Sequence, residues 1–423
     1  MKILIGGSPC THWSIAQTKN RETEASGIGW ELFLNYRIAR DKYQPDFFLY
    51  ENNKSMSKAI REQITAELGV EPVLINSALV SAQSRQRLYW VGKREPDGTY
   101  SQVRVEQPED RGILLRGILE SGVCWREKGY ALTASNHSAT AEDMIARRQR
   151  NGAAEPIRIG TIENDAKKQD FDSQQYRVYS PDGKSVTLCG NGGGIGAKTG
   201  LYAVPAPVEY NPLHNCDVAI TDQNIRCAYK DGSGTAQGYT VTFDDAKSPS
   251  VIAGHAHKMK VIERATNLKQ MPIYEVRGGY ITIKETQYPI KLADGFYIIR
   301  KLTVRECMRL QTVQETYAFP CSPSQAYKLL GNGWTVDVIA HLLSHFDGLT
   351  AEPVEVFSMY DGMSCGRLAL NKLGVNVTTY YATEIDKYAI QATQHNFPDT
   401  VQLGDAFQVR ETDWKLPEVM RSV

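Results

Sequence analysis

The chain has 423 residues, 42% of them hydrophobic, and its 48 basic and 48 acidic side chains cancel to a formal charge of zero. That length exceeds one hydrophobic core and predicts two or three domains, while the charge balance excludes a polybasic tail but not a local basic cleft. No apolar run reaches the roughly 20 residues of a bilayer span and no charged-then-apolar leader opens the chain, so the reading is of a cytoplasmic protein with no membrane partner. The eight cysteines form no CxxC pair, which predicts reduced thiols rather than a disulfide framework or a zinc site.

In chain order, KILIGGSPCTHWS (2–14) opens with a short β-prone run that breaks into Gly6-Gly7-Ser8-Pro9-Cys10, a strand ending in a tight turn that presents a thiol. Trp30, Phe33, Leu34 and Ile38 recur at helical spacing, QPDFFLYE reads as an apolar strand stopping at Glu51, and SKAIREQITAELG reads as a helix closed by Gly69. PVLI and RLYWVG follow as strands. This alternation predicts a parallel α/β sheet, whose ligands bind beyond the carboxyl ends of its strands, where Cys10, Glu51, Arg85 and Arg87 fall. Singly, these are a structural thiol, a solvated carboxylate and surface arginines. Together they suit a planar heterocycle: a thiolate adds to an electron-poor ring carbon, a carboxyl group meets a ring nitrogen, and a guanidinium holds an exocyclic oxygen.

The segment GGSPCTHWS, then ENNKSM (51–56), then QSRQRLYWVG (83–92) resembles, in this order, the catalytic motifs of the cytosine-5 DNA methyltransferases. The resemblance implies that Cys10, presented by Pro9, attacks carbon 6 of a flipped-out cytosine, that Glu51 engages N3 with Asn52 beside it, and that Arg87 holds O2 with Arg85 supporting the pocket. It implies S-adenosylmethionine as methyl donor and double-stranded DNA as partner, with Ser14 among its contacts; a monomer is expected, and no metal, because His214 with Cys216 and His255 with His257 are too sparse to hold one. Asn53 stands where the family motif has valine, and is expected to place an extra amide against the cysteine loop.

VEVFSMYDGMSCG (354–366) opens a second strand–turn–helix unit, and 24 residues beyond Tyr360 comes Glu384, at the end of TTYYAT, a spacing suited to a carboxylate on ribose hydroxyls. Alone this fits a nicotinamide cofactor equally well. By the resemblance, Tyr360 and Ile385 flank the adenosine, Glu384 takes the ribose, Asp405 the adenine amino group, and Asp361, Gly362, Met363 and Ser364 form the cofactor turn. RKLTVRECMRLQ (300–311) and YKLLGNGWTVDVIAHLLSHF (327–346) resemble the family's closing motifs, with Asn332, Gly333 and Trp334 over the cofactor. Because these precede the cofactor motif, the order is that of a circular permutation joined through GLTAEPVE (348–355). The wording is nearest to the animal de novo enzymes and to phage and bacterial ones.

The expected architecture is therefore a Rossmann-like, circularly permuted S-adenosylmethionine-dependent methyltransferase sheet plus a β-rich target-recognition domain. Its parts are a catalytic half (1–93), the recognition domain (94–297), closing motifs (298–348) and a cofactor half (349–423). In the recognition domain KGYALTAS (128–135), KSVTLCGN (184–191) and KSPSVIAG (247–254) read as three related strand–loop units reaching base edges, with Arg147, Arg148 and Arg150 offered to phosphates. GGGIGAKT (192–199) lacks the second glycine of a phosphate-binding loop and is set aside. A tRNA cytosine-5 methyltransferase and a catalytically silent DNA-binding relative are the alternative readings, and a restriction-modification or phage protective role is open.

Overall fold

The computed structural model describes residues 1–9, 12–13, 21–156, 158–161, 177–179, 201–202, 216–220, 224–230, 236–243, 259–262, 273–292 and 295–417. Short apolar runs form the central strands: β1 (Lys2–Gly6), β2 (Phe47–Asn53), β3 (Pro72–Asn76), β4 (Gln86–Arg94), β5 (Tyr100–Gln102), β6 (Val354–Met359), β7 (Val377–Thr383) and β8 (Val401–Gly404). They make one sheet in the order β8-β7-β6-β1-β2-β4-β3, with β5 added on β4. β8, β7, β6, β1 and β2 run parallel, whereas β4 is antiparallel to both β2 and β3. The sequence predicted parallel strands throughout. β4 reverses because only residues 77–85 link it to β3, and a parallel return needs a crossover of a dozen or more residues.

The strands are apolar on both faces, and the alternation sorts them into two cores. Ile3, Ile5, Phe47, Leu49 and Val356 face one core, and Leu4, Phe48, Tyr50, Phe357 and Met359 face the other. Helices α1 (Gly27–Tyr43), α2 (Lys58–Leu68) and, near the C-terminus, α8 (Ala406–Glu411) cover the second. Helices α3 (Val304–Leu310), α4 (Pro323–Asn332), α5 (Val336–Leu343), α6 (Cys365–Lys372) and α7 (Lys387–Asn396) cover the first, giving three layers. Local chemistry sets the helix ends: the Ser57 hydroxyl caps Ile60 N–H and Gly69, at φ 75°, closes α2, while Thr303 and Glu306 form a capping box on α3.

β1 and β6, nearly the full chain apart, are hydrogen-bonded neighbours with Ile3 opposite Val356. The Met1 ammonium donates to the Pro353 carbonyl at 2.9 Å. At the same end of the sheet Lys42 pairs with Asp413 at 2.9 Å.

A second unit has its own core of Trp125, Met144, Ile145, Val276, Ile281, Tyr297 and Ile299. Its antiparallel sheet runs in the order Thr286–Pro289, Tyr280–Ile283, Ile273–Arg277, Gly295–Lys301, Gly152–Pro156. The described strands between 158 and 262 form two further small sheets. Beyond residue 94, where the recognition domain is expected to begin, Val103, Leu115, Ile118 and Leu132 are buried in the first core of the large unit. KGYALTAS is likewise no projecting loop. Gln83–Ser84 pairs in parallel with Gly129–Tyr130, and Lys128 donates to the carbonyls of Ala78, Ser81 and Ile113. KSVTLCGN and KSPSVIAG lie outside the described residues.

Candidate active site

The rim is built where β1 and β2 end and β4 begins. Beyond β1 the chain runs Gly7-Ser8-Pro9. Cys10, Thr11 and Ser14 lie outside the described residues. Ser8 is fixed from behind: its hydroxyl meets Tyr50 OH at 2.6 Å and its carbonyl accepts from Asn52 Nδ2 at 3.2 Å. Burial pushes the Tyr50 phenol above its ordinary range, so it stays neutral. The extra amide expected at Asn53 makes no bond to Ser8, because successive residues of a strand face opposite sides and Asn52 is the one turned toward it. Asn52 does the bracing, and Asn53 Oδ1 instead accepts from the Ser55 hydroxyl at 2.8 Å.

Glu51, only 8% exposed, is held by two donors. Arg87 Nε lies 3.0 Å from Oε1, and the indole N–H of Trp334 donates to Oε2 at 2.9 Å. The carboxylate fits because residue 7 is glycine: a Cβ there would lie 2.8 Å from the Glu51 carbonyl and 2.9 Å from Oε2. Arg85 reaches the site indirectly. Its guanidinium donates to the carbonyls of Leu132 at 3.0 Å, Gly331 at 3.3 Å and Gly333 at 3.1 Å, pinning the turn that carries Trp334. Gln83 adds bonds to the Leu310 carbonyl and Gln311 Oε1, both at 2.7 Å. At Gly331 a Cβ would sit 2.2 Å from the Thr133 carbonyl carbon, so α4 lies directly on the 133–134 backbone.

On the cofactor side, Tyr360 and Ser364 both have φ of +59°, strain that concentrates where backbone must approach a ligand, and Gly362 between them takes the same φ freely. Glu384 Oε2 accepts from Gly362 N–H at 2.8 Å and Oε1 from Ile385 and Asp386 N–H at 2.8 Å each, which aims the carboxylate beside the turn. Carboxylate oxygens retain acceptor capacity for ribose hydroxyls in this state. Ile385 is 74% exposed, an apolar face standing next to that carboxylate, and Asn332 and Gly333 end α4 nearby. Other members of the turn point inward. Met363 is in the core, Tyr360 OH donates to the Leu32 carbonyl at 2.7 Å, and Ser364 bonds Asp361 and Thr393. Asp361 accepts from Ser358, Ser364 and Tyr380 hydroxyls, and burial pushes its carboxyl up to about 6. Asp405 Oδ1 caps α8 through Phe407 N–H at 2.9 Å.

In the second unit Arg147 pairs with Asp143 at 3.1 Å and Glu142 at 3.3 Å, and Arg150 donates to Ser135 Oγ at 2.6 Å. Among the described residues no helix is long and apolar enough to cross a membrane, and no His, Cys, Asp and Glu cluster could hold a metal. Trp334 as a partner of Glu51 escaped the sequence reading: 283 positions separate them, and no local pattern encodes such a contact.

Strand order reverses between β6 and β1, so the crevice between their carboxyl ends is the switch point where α/β sheets bind ligands. The Tyr360–Ser364 turn and the Gly7–Pro9 turn both leave at that point, which is the architecture of an α/β enzyme with its ligand crevice beside a carboxylate–guanidinium pair. A family model for the C-5 cytosine-specific DNA methylase matches residues 1–346. The chain belongs to that family and is a methyltransferase, which implies S-adenosylmethionine as its methyl donor.

Similar proteins include the orphan methyltransferase M.Rho11sI of Bacillus phage rho11s, 24% identical over 80% of this chain and 83% of that protein. The orphan methyltransferase M.SPRI of Bacillus phage SPR is 23% identical over 80% of each. Among solved structures, Entamoeba histolytica methyltransferase EhMeth gives a TM-score of 0.32 at 10% identity, covering 81% of this chain and 76% of that one. S. pombe Dnmt2 methyltransferase gives 0.30 at 14% identity, covering 81% and 77%.

Proposed function

We propose that this enzyme methylates carbon 5 of a flipped cytosine in a specific DNA duplex through a covalent adduct on Cys10. The observation that carries the reading is the Glu51 carboxylate held between Arg87 and Trp334 at 3.0 and 2.9 Å and packed on Gly7, three positions before Cys10 in the sequence. In this reading the Cys10 thiolate forms a bond to carbon 6, and the C5=C6 electron pair moves to carbon 5 while Glu51 shares a proton with N3. Arg87 holds O2. S-adenosylmethionine would supply the electrophilic methyl group, which carbon 5 takes with its electron pair while the sulfur keeps the S–CH3 pair and departs as S-adenosylhomocysteine. The carbon 5 proton then leaves to a base, the C6–S bond breaks, and the double bond re-forms with Cys10 released as thiolate.

The residues fit that donor: Glu384 beside Gly362 for the ribose, exposed Ile385 for the adenine face, and Asn332, Gly333 and Trp334 above. Asp405 and Tyr360 flank the same crevice, with Asp361, Met363 and Ser364 shaping the turn from within. The family match ends at 346 while β6–β8 complete the sheet beside β1, which supports the circular permutation. The second unit, with its separate core, is assigned to target recognition. The family's description as a DNA methylase supports DNA as the substrate, and the phage relatives support a host cytoplasm as the setting.

The test is a duplex carrying 5-fluorocytosine at the methylated position, where fluorine cannot leave as the proton does. The wild-type protein should form an adduct stable to denaturation, and Cys10→Ala should form none. An undiminished adduct in Cys10→Ala refutes the nucleophile.

A further inference from the structure

Asn53 sits two residues beyond Glu51 on β2, hence on the same face of the sheet, and opposite Arg87 on β4. It is 5% exposed, and while its Oδ1 accepts from Ser55, its buried Nδ2 has no hydrogen-bond partner. Leaving a buried amide N–H unsatisfied is costly and is rare in folded proteins unless a ligand completes it. A hollow of about 330 Å³ lies at this point, lined by Asn53, Lys54, Ser55, Gln86 and Arg87. Its lining carries two cations and no carboxylate. Lys54 Nζ is drawn across to Gln86 Oε1 at 2.7 Å, and Arg87 places Nε on Glu51 and Nη1 on the Gln86 carbonyl at 2.9 Å, which holds its guanidinium at the edge of the hollow. An acceptor-rich anion matches every group present.

We infer that this hollow seats a backbone phosphate next to the target nucleotide, with Asn53 Nδ2 donating to a phosphate oxygen between Lys54 and Arg87. This rests on the proposed nucleic-acid methyl transfer. The amide thereby supplies a hydrogen bond that the valine expected at this position could not. Its role is to hold the extruded nucleotide's backbone while Glu51 and Arg87 engage the base.

The experiment uses the full chain and whichever oligonucleotide the wild-type enzyme methylates, comparing wild type with Asn53→Val and Asn53→Asp. Replacing a donor to a charged acceptor should raise KM for the nucleic acid about tenfold or more in Asn53→Val. In Asn53→Asp, a carboxylate facing the phosphate should raise it further. Asn53→Val should at the same time raise the melting temperature of the free protein, because an unsatisfied donor is gone. Each phosphate flanking the target is then replaced in turn by a neutral methylphosphonate. At one of them the loss seen with wild type should disappear in Asn53→Val, since both changes delete the same bond. Fully additive losses at both phosphates, or an Asn53→Asp enzyme as effective as wild type, overturn the inference. A wild-type enzyme that methylates no nucleic acid defeats the underlying reading instead.

Discussion

Replacing Trp334 with Phe keeps an aromatic ring at the end of α4 but deletes the N–H that reaches Glu51 Oε2 at 2.9 Å. Hydrogen bonds to charged groups are worth about 1.5–3 kcal/mol, or roughly 10- to 150-fold in rate if the bond persists in the transition state. Arg87 remains on the other oxygen at 3.0 Å, and the half-buried indole leaves water room to substitute in part. The expected loss is therefore near the low end, about tenfold or ~1.4 kcal/mol. The assay is single-turnover methyl transfer at saturating S-adenosylmethionine, with cofactor affinity measured separately by calorimetry. A slower methyl-transfer step with nearly unchanged affinity supports Trp334 as a positioning residue for the carboxylate. An unchanged single-turnover rate with weakened cofactor binding would refute it and leave Trp334 as a cover for the cofactor alone.

Asp361 has a carboxyl pushed up to about 6 from an ordinary value of 3.8, so the folded protein binds that proton more tightly than the unfolded chain. Its contribution to stability is full below about pH 4, is lost as pH rises to about 6, and is flat beyond. Asp361→Asn should accordingly gain melting temperature relative to wild type across that window; parallel profiles from pH 4 to 7 would count against the buried acid. Arg147 is already neutralised by Glu142 and Asp143, while Arg148 has no such partner among the described residues. Arg148→Ala should flatten the slope of log affinity against log salt by about 0.9, and Arg147→Ala should change it less; equal slopes for the two variants would remove the phosphate role from this segment.

Much of the fold was legible because its signals are local. β1 and β2 are uninterrupted apolar runs, and α2 carries Ser57 and Gly69 at its ends. Residue type and motif singled out Glu51 and Arg87, and the two side chains do meet, at 3.0 Å. The direction of β4 was not legible, since a strand's alternation is the same read either way and only the length of the 77–85 link decides. Nor was the work of Arg85, whose partners are the carbonyls of Leu132, Gly331 and Gly333. Any residue offers a carbonyl, so such bonds leave no trace in side-chain identity. KGYALTAS misled for the related reason that a lysine before a β-prone run reads alike whether Lys128 is solvated or, as here, bound to three carbonyls.

The pairing of β1 with β6 bears on how the protein is made. Ile3, Leu4 and Ile5 are fully buried, yet β1 is synthesised long before its neighbour Val354–Met359. During translation β2 can dock on one side of β1 while the other edge stays open until roughly 350 further residues have been added. An open apolar edge in the middle of an unfinished sheet is a site for misassociation, and long-range parallel pairing is slow to form. Nascent chains stalled before residue 354 should therefore depend on chaperones, and the slowest phase of refolding should report β6–β8 closing against β1 rather than assembly of the smaller β-rich unit.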